Sequence, residues 1–573
     1  MQRPSETELS PMSTVRSLLG SHFFLWVGLG AFVLAVLFVD PIREMGFEDD
    51  WNYAVMVRHL LKTGEYRIHQ FLAPNLPFQT YWGGLFGYVL GYSFTSLRIS
   101  TLVLVFFGLI AFYFLAREER LNSTQAGLIT LVLLGSPLVL LYSFTFQTDV
   151  PFLMCLIITM FLYTRAIRLH SYALMLSASI AAAAAILTRQ FGLAIPAGVF
   201  CLWALSKERR KHAPLFAAGL ILPAVAGVWQ LYMGFIAPTK FQTLEMHQSA
   251  LYYANTGKAL ISTILRPAII LEYLALFSLP LVFLALLAIG YEIMDQDDVV
   301  RTRKSVRSHV LLLAALSIYV LAGIIHGHVV NHQSWLMPLI MWDFGIIADM
   351  GKWSRVVVTG ITSLGAILYG YIFVVRYFDG RGLAGIHAKR RVLDFVTLFL
   401  LAEQLLIPKM GDRYLIVFLP FVCIALGHYL AHWLNRLWVV TGAACLVMLG
   451  ASLLWSRGLL EKEEAVWKGG QALLAAGAQP AEILGSHAWN AYHGKIVDDY
   501  LAALGDAKLE STKDFWSRWY PERWKRARFL ITDSSVAPKG EEWKVVARIP
   551  YRGMLLGEER VCVMEREAER TQP

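Results

Sequence analysis

The sequence predicts an all-α polytopic membrane protein with a small α/β domain at its C-terminal end. Three observations predict it. The 573 residues are 56% hydrophobic and only 16% charged, with a mean hydropathy of +0.51, more apolar surface than a soluble chain of this length carries. Stretches of about 20 apolar residues, enough to cross a hydrocarbon core of roughly 30 Å, recur along the chain. From Glu461 onward the pattern changes, with frequent charges and short apolar runs.

The formal net charge of +9 is explained by basic loops on the cytoplasmic side of a membrane rather than by nucleic acid. The five cysteines show no C-x-x-C pair or metal-type spacing. They indicate neither a disulfide framework nor a zinc site. No small-residue cleavage pattern follows the first apolar run, so that run is expected to stay as an anchor.

Residues 1–21 read as a polar cytoplasmic tail, and His22 to Val39 as the first span, ended by Asp40-Pro41. Residues 42–94 read as a first extracytoplasmic loop. It opens on Gly46-Phe47-Glu48-Asp49-Asp50-Trp51-Asn52-Tyr53. Trp51 to Thr63 has an amphipathic helical pattern suited to the membrane surface, with Gly64 as its cap. Phe78 to Tyr92 reads as a second in-plane helix, with a short transmembrane helix as the alternative.

Further spans are expected at Ser96–Ala116, Thr124–Tyr142, Val150–Tyr163, Tyr172–Leu187, Phe191–Leu205, Pro214–Ile236 and Ala268–Tyr291. The rest are expected at Val310–Ile325, Val356–Val375, Val392–Ile407, Tyr414–Ala431 and Leu437–Trp455. With the first span this makes about thirteen. That count places Arg117, Arg165, Arg168, the Lys207–Lys211 and Arg301–Arg307 clusters, Lys389–Arg391 and Arg436 on one side. By the positive-inside rule this side is cytoplasmic, which puts the acids and everything after Trp455 outside. The transmembrane region is therefore 22–455, and an extracytoplasmic α/β domain of about 110 residues occupies 456–573. Its helix is expected at Glu461–Ala476 and its strands at Glu482–Leu484, Arg528–Thr532, Trp543–Ile549 and Arg560–Met564.

Four polar constellations fall on the outer face in this count: Asp49 and Asp50 with Tyr53, Gln147-Thr148-Asp149, Thr188-Arg189-Gln190, and Asp412-Arg413. Each alone can be a solvated anchor or a topology signal. Together they suit one reaction, transfer of a sugar from a lipid phosphate. A carboxylate takes the acceptor proton, and cations stabilise the departing phosphate, for which guanidinium is fitted.

At these residues the sequence resembles the GT-C glycosyltransferases. The resemblance is to the polyprenyl-phosphate-dependent group that includes protein O-mannosyltransferases and the bacterial aminoarabinose transferase of lipid A. The family's Asp-Glu-x-x-Tyr signature after the first span is matched by Asp49-Asp50-Trp51-Asn52-Tyr53. Gly64-Glu65-Tyr66, Leu76-Pro77-Phe78, Arg98, Thr148-Asp149-Val150-Pro151, Thr188-Arg189-Gln190 and Arg413-Tyr414 with Pro420 match later motifs in order. Asp50 stands where the family has Glu, and Arg189 where it has Lys.

The resemblance implies a GT-C bundle in a bacterial inner membrane, with inversion at the anomeric carbon. A polyprenyl-phosphate sugar is the implied donor, and an extracytoplasmic hydroxyl on glycan, lipid or protein the implied acceptor. It also implies Asp49 as general base, Asp149 as its partner, and Arg189 and Arg413 as phosphate binders. Asp50, in the substrate-binding set, would be an orienting or helix N-terminal residue, Tyr53 would pack or touch substrate, and His247 would sit in a loop over the site. The acids can serve with or without a divalent cation. A transporter or flippase for a lipid-linked substrate is the other reading. It is disfavoured because no inverted repeat is visible and most span centres lack charge. His326, His328 and His332 look like a metal cluster but lack an intervening acid. In the tail, Trp489 and Tyr492 are candidates to stack on sugar rings.

Overall fold

A computed structural model describes residues 22–72, 75–294, 311–323, 351–378, 391–407, 411–494, 524, 526–533, 543–554 and 556–566. The His326–His332 cluster lies outside them. The first helix, α1 (Phe23–Val39), ends where Asp40 turns to a positive φ and Arg43 folds back to donate to the Val39 and Asp40 carbonyls at 3.1 and 3.0 Å. Helix α2 (Asp50–Thr63) starts directly after the acids. It stops at Gly64, whose left-handed φ of 75° aims its N–H at the Leu60 carbonyl, 2.8 Å away.

Helix α2 departs from the expected surface helix. Its first half, including Asp50, Asn52 and Tyr53, is buried. Helix α3 (Pro77–Leu90) covers one side of it, with Gly87 so close that an added Cβ would meet Leu61 at 2.8 Å. At 14 residues, α3 is about 21 Å long, short of a hydrocarbon core of roughly 30 Å. Gln79 of α3 donates to the Phe146 carbonyl at 2.6 Å and fixes the loop ahead of Asp149.

Helix α4 (Phe94–Glu118) opens with a reciprocal Ser93–Ser96 cap. Helices α5 (Ser123–Gly135) and α6 (Pro137–Ser143) follow. The single expected span Thr124–Tyr142 is in fact broken there by 67°. Pro137 explains the break, because its ring and missing N–H end the helix that precedes it. Helices α7 (Asp149–Leu169), α8 (Tyr172–Ile186), α9 (Ala194–Ala204), α10 (Ala213–Phe235) and α11 (Lys240–Ala254) come next. Then come α12 (Thr256–Phe277) and α13 (Leu279–Met294), so the expected span Ala268–Tyr291 is interrupted at Ser278. The chain continues through α14 (Leu311–Gly323), α15 (Gly351–Phe378), α16 (Val392–Leu406), a 3-10 turn (Asp412–Phe418), α17 (Leu419–Tyr429) and α18 (Ala431–Arg436).

Among the described residues, six helices are long and apolar enough to cross a membrane, or seven if the bent α5–α6 pair counts as one. The expected thirteen or so spans are therefore not reproduced. The difference lies in shorter apolar helices such as Phe23–Val39 and Tyr172–Ile186 and in the broken ones. Three of the arginines expected on the cytoplasmic side, Arg165, Arg168 and Arg391, gather at adjacent acids. Glu118 accepts from Arg165 and Arg168 at 2.9 Å each, Glu119 pairs with Arg391, and Asn122 bonds Asn435 at 2.8 Å. Those residues sit at or just past the C-terminal end of α4, whereas Arg98 and the acid loop lie at its N-terminal end.

The final long helix, α19 (Trp438–Ala475), merges two elements the sequence reading separates, a span and a soluble helix. Its 38 residues make it about 57 Å long. A four-stranded sheet packs against its far end, in the order β1 (Ile483–Leu484), β2 (Phe529–Thr532), β4 (Glu558–Arg566), β3 (Trp543–Arg552). Strands β1 and β2 are parallel, and the other pairs are antiparallel. A one-turn helix α20 (His487–Tyr492) follows β1. Trp489 is fully buried against Gly470 of α19, so it is a core residue and not a sugar platform. A Cβ at Gly470 runs into the Trp489 indole. Gly470→Ala is expected to cost about 2 kcal/mol through overpacking, seen as a lower thermal midpoint with red-shifted tryptophan emission. An unchanged midpoint would mean that the indole moves aside freely.

Candidate active site

The three consecutive acids after α1 meet three different environments. Asp50 is fully buried, and its Oδ1 accepts from the Phe47 N–H at 2.6 Å, closing the loop on itself. Beneath it Arg98, also buried, donates both Nη groups to the Arg43 and Met45 carbonyls. The arginine that opens α4 thus holds the acid loop from below. Burial pushes the Asp50 carboxyl up to about 7, against the pull of Arg98.

That shift fixes a sign. The folded protein keeps a proton on Asp50 that the unfolded chain loses near pH 4. The stabilisation is complete below about pH 4 and is lost as pH rises through 7. Asp50→Asn should therefore raise the thermal midpoint relative to wild type more at pH 8 than at pH 5. Equal differences at the two pH values would contradict this.

Glu48 has a φ of 47°, a left-handed backbone that a non-glycine residue rarely adopts. Its carboxylate explains what holds it there. Oε2 accepts from Gln147 Nε2 at 2.9 Å and Tyr142 O–H at 3.2 Å, and lies 3.4 Å from Arg413 Nη1. Burial raises its carboxyl, opposed by Arg413 and reinforced by the Asp49 charge.

Asp49 stands at the N-cap of α2. Its Oδ2 accepts from Arg413 Nη2 at 2.9 Å, and its Oδ1 lies 3.7 Å from His487 Nε2. Burial works to raise this carboxyl, but Arg413 and His487 outweigh it and hold Asp49 well below the usual carboxylate range. It is therefore ionised at neutral pH.

Arg413 is the hub. It enters from the first turn of the Asp412–Phe418 segment, and besides Asp49 and Glu48 it donates to Gln147 Oε1 at 2.6 Å. Its Nε lies 4.0 Å from Asp149 Oδ2. Asp149 opens α7, where a carboxylate suits the helix dipole. Its other oxygen accepts from Arg189. The Arg189 guanidinium in turn lies over the Tyr414 ring, 4.6 Å from its centre, and 5.2 Å from that of Phe191.

The structure thus brings together Asp49, Asp149, Arg189 and Arg413 from four distant stretches, with Asp50 and Tyr53 packed beneath. His247 is not part of this set. It is exposed on α11, a regular helix capped by Thr239 where the sequence suggested a loop, and none of the cluster's hydrogen bonds comes from it. Sequence reasoning left Glu48, Tyr142, Tyr414 and His487 out of the site. The acid triplet named Glu48, but nothing in a sequence reports its backbone sign. His487 is some 440 positions from Asp49 in the chain, counting from residue numbers. Among the described residues, no three His, Cys, Asp or Glu side chains are grouped as a metal site needs. The cluster's carboxylates face guanidinium groups instead.

Residues 74–229 match the family described as dolichyl-phosphate-mannose-protein mannosyltransferase. The chain resembles the GT-C glycosyltransferases. The matched segment of this GT-C-like chain holds Asp149 and Arg189, while Asp49 and Arg413 lie outside it. Among solved structures, ArnT from Cupriavidus metallidurans bound to undecaprenyl phosphate is 15% identical, with a TM-score of 0.39 over 96% of this chain and 98% of that one. The archaeal oligosaccharyltransferase AglB from Archaeoglobus fulgidus, in complex with an inhibitory peptide and a dolichol-phosphate, is 14% identical. Its TM-score is 0.45, over 89% of this chain and 69% of that one. A search of curated proteins finds no match.

Proposed function

We propose that the protein is a membrane glycosyltransferase. It moves a sugar from a polyprenyl-phosphate donor to an acceptor hydroxyl outside the cytoplasm, with inversion and with Asp49 as general base. One observation carries the reading: an ionised, half-buried carboxylate sits against a half-buried guanidinium, beside a second acid–arginine pair, Asp149 and Arg189, that is nearly buried. The ArnT and AglB structures hold undecaprenyl phosphate and a dolichol-phosphate, lipids of the class of donor proposed for this chain. On this reading 1–21 is cytoplasmic, 22–455 is the membrane region and 456–573 lies outside.

The acceptor oxygen attacks C1 of the sugar as the C1–O bond to phosphate breaks, and Asp49 takes the acceptor proton. The phosphate leaves with the bonding electrons, next to Arg189 and Arg413. Each guanidinium has five N–H donors in a fork that matches phosphate oxygens. Asp149 lies against both arginines and keeps them aimed, and Tyr414 supports Arg189 from below. A donor tail that stays in the bilayer accounts for a site at the end of an apolar bundle.

The test is release of free polyprenyl phosphate from donors labelled in the sugar, by purified full-length protein, with and without candidate acceptor hydroxyls. Release supports transfer. Lipid binding without release from any donor would move the reading to a transporter or flippase.

A further inference from the structure

Among the described residues of the sheet region, His487 reaches the cluster. Ser486 caps α20 by accepting from the Trp489 N–H at 3.3 Å, and its hydroxyl donates to Glu463 of α19. Asn490 locks the preceding turn, accepting from the Gly485 N–H at 2.9 Å and donating to the Gly485 carbonyl at 3.0 Å. With Trp489 wedged against Gly470, the backbone carrying His487 is fixed. At the other end of α20, the Tyr492 hydroxyl accepts from Arg58 of α2 at 3.1 Å. Arg43 ties the acid loop to Glu464 of α19 at 2.6 Å.

These contacts set His487 Nε2 3.7 Å from Asp49 Oδ1, while Arg413 occupies Oδ2 at 2.9 Å. The two oxygens of one carboxylate have separate partners, one from the Asp412–Phe418 segment and one from α20. The groups that face His487 include Asp49 from the acid loop, Glu463 from α19 and the Phe71 ring at 6.5 Å. A carboxylate gripped by a guanidinium is a weak base and does not retain a proton. The His487 imidazole beside it has a ring nitrogen able to accept that proton.

We propose that His487 completes the acid–base relay, taking from Asp49 Oδ1 the proton that Asp49 accepts from the acceptor hydroxyl. The proposal rests on the glycosyltransferase reading above. The acceptor oxygen bonds to C1, and the C1–O bond leaves its electrons on polyprenyl phosphate. The acceptor proton goes to Asp49, then to His487 Nε2, then to water. His487 does not contact the sugar. It is a positioning residue that acts through Asp49, and it makes the C-terminal region part of the site.

The experiment compares kcat and donor KM for full-length wild type, His487→Ala and His487→Gln, using a sugar-labelled polyprenyl phosphate. Both variants should lose about 10–100-fold in kcat, with donor KM nearly unchanged. Added imidazole should restore His487→Ala and leave His487→Gln slow, because glutamine fills the space but cannot take the proton. Thermal midpoints near wild type establish that the variants are folded. A His487→Gln enzyme at wild-type kcat, or a folded His487→Ala enzyme that imidazole does not restore, overturns the relay while leaving the function reading intact. A wild type that releases no polyprenyl phosphate overturns the function reading, and the relay with it.

Discussion

Asp49→Asn is expected to lower donor turnover by about 10³-fold or more while leaving the protein folded. A positioned general base contributes roughly 10²–10⁴, and here the same group also balances Arg413. Asparagine has the same shape. Its amide oxygen can still accept from Arg413 Nη2, and its NH₂ then faces His487. The local hydrogen bonds therefore survive, and only the charge and the basicity are lost. The measurement is release of polyprenyl phosphate beside a thermal unfolding curve. A variant with an unchanged midpoint and full turnover would leave Asp49 only a partner of Arg413 and send the search for the base to Glu48.

Arg413→Ala should be as damaging to turnover and more damaging to the fold. Arg413 bonds Asp49 and Gln147, and lies 3.4 Å from Glu48 and 4.0 Å from Asp149. Its loss leaves three carboxylates with only Arg189 among them. Leaving these partly buried carboxylates without the guanidinium costs about 1–3 kcal/mol, and losing one donor to a developing anion costs roughly 10²–10³ in rate.

The pH dependence has a definite sign. In wild type the depressed Asp49 carboxyl stabilises the fold above its unfolded value and loses that contribution as pH falls through the folded value. Without Arg413 the largest opposition to burial is gone, leaving only His487 on Asp49 and Gln147 and Tyr142 on Glu48, so both carboxyls move up and the variant loses stability relative to wild type as pH rises. Its midpoint deficit against wild type should be larger at pH 8 than at pH 5. Arg413→Lys keeps the charge but loses the fork, and should recover part of the stability and little of the turnover. A deficit that does not change with pH would show that the carboxylates find other partners.

Local signals in the sequence were reliable where the cause was local. Asp40-Pro41 ends α1, Gly64 caps α2, and all four strands lie within a few residues of their expected places. Each depends on one or two side chains acting on their own backbone. The expected Asp49–Asp149–Arg189–Arg413 set was readable because each member sits at the start or end of an apolar stretch, and the ends of such stretches must meet at a common level.

Other features are settled by contacts between distant segments, and periodicity cannot report them. Pro137 was visible, yet whether a proline kinks a span or breaks it depends on the neighbours that satisfy the freed carbonyls. The fusion of Leu437–Trp455 with Glu461–Ala476 was hidden by Arg457 and Glu461. These pair with each other at 2.7 Å and so continue the helix rather than ending it. The burial of Asp50 was masked because an acid in an amphipathic pattern reads as solvated. Here Arg98 and the Phe47 N–H replace the water. The left-handed Glu48 is held by Tyr142 and Gln147, nearly a hundred positions further on, again counting from residue numbers.

The continuity of α19 has a mechanical side. A straight helix is a lever, and this one is pinned to the acid loop by Arg43, which reaches both Glu461 and Glu464. A tilt of about 5° displaces a point about 25 Å along a helix by about 2 Å, and tilt is what a change in bilayer thickness alters. The pin makes Asp49 and His487 travel with the lever as one body. Arg413 and Asp149 are carried by other segments, so a tilt of α19 is expected to load the Asp49–Arg413 contact before the Asp49–His487 one.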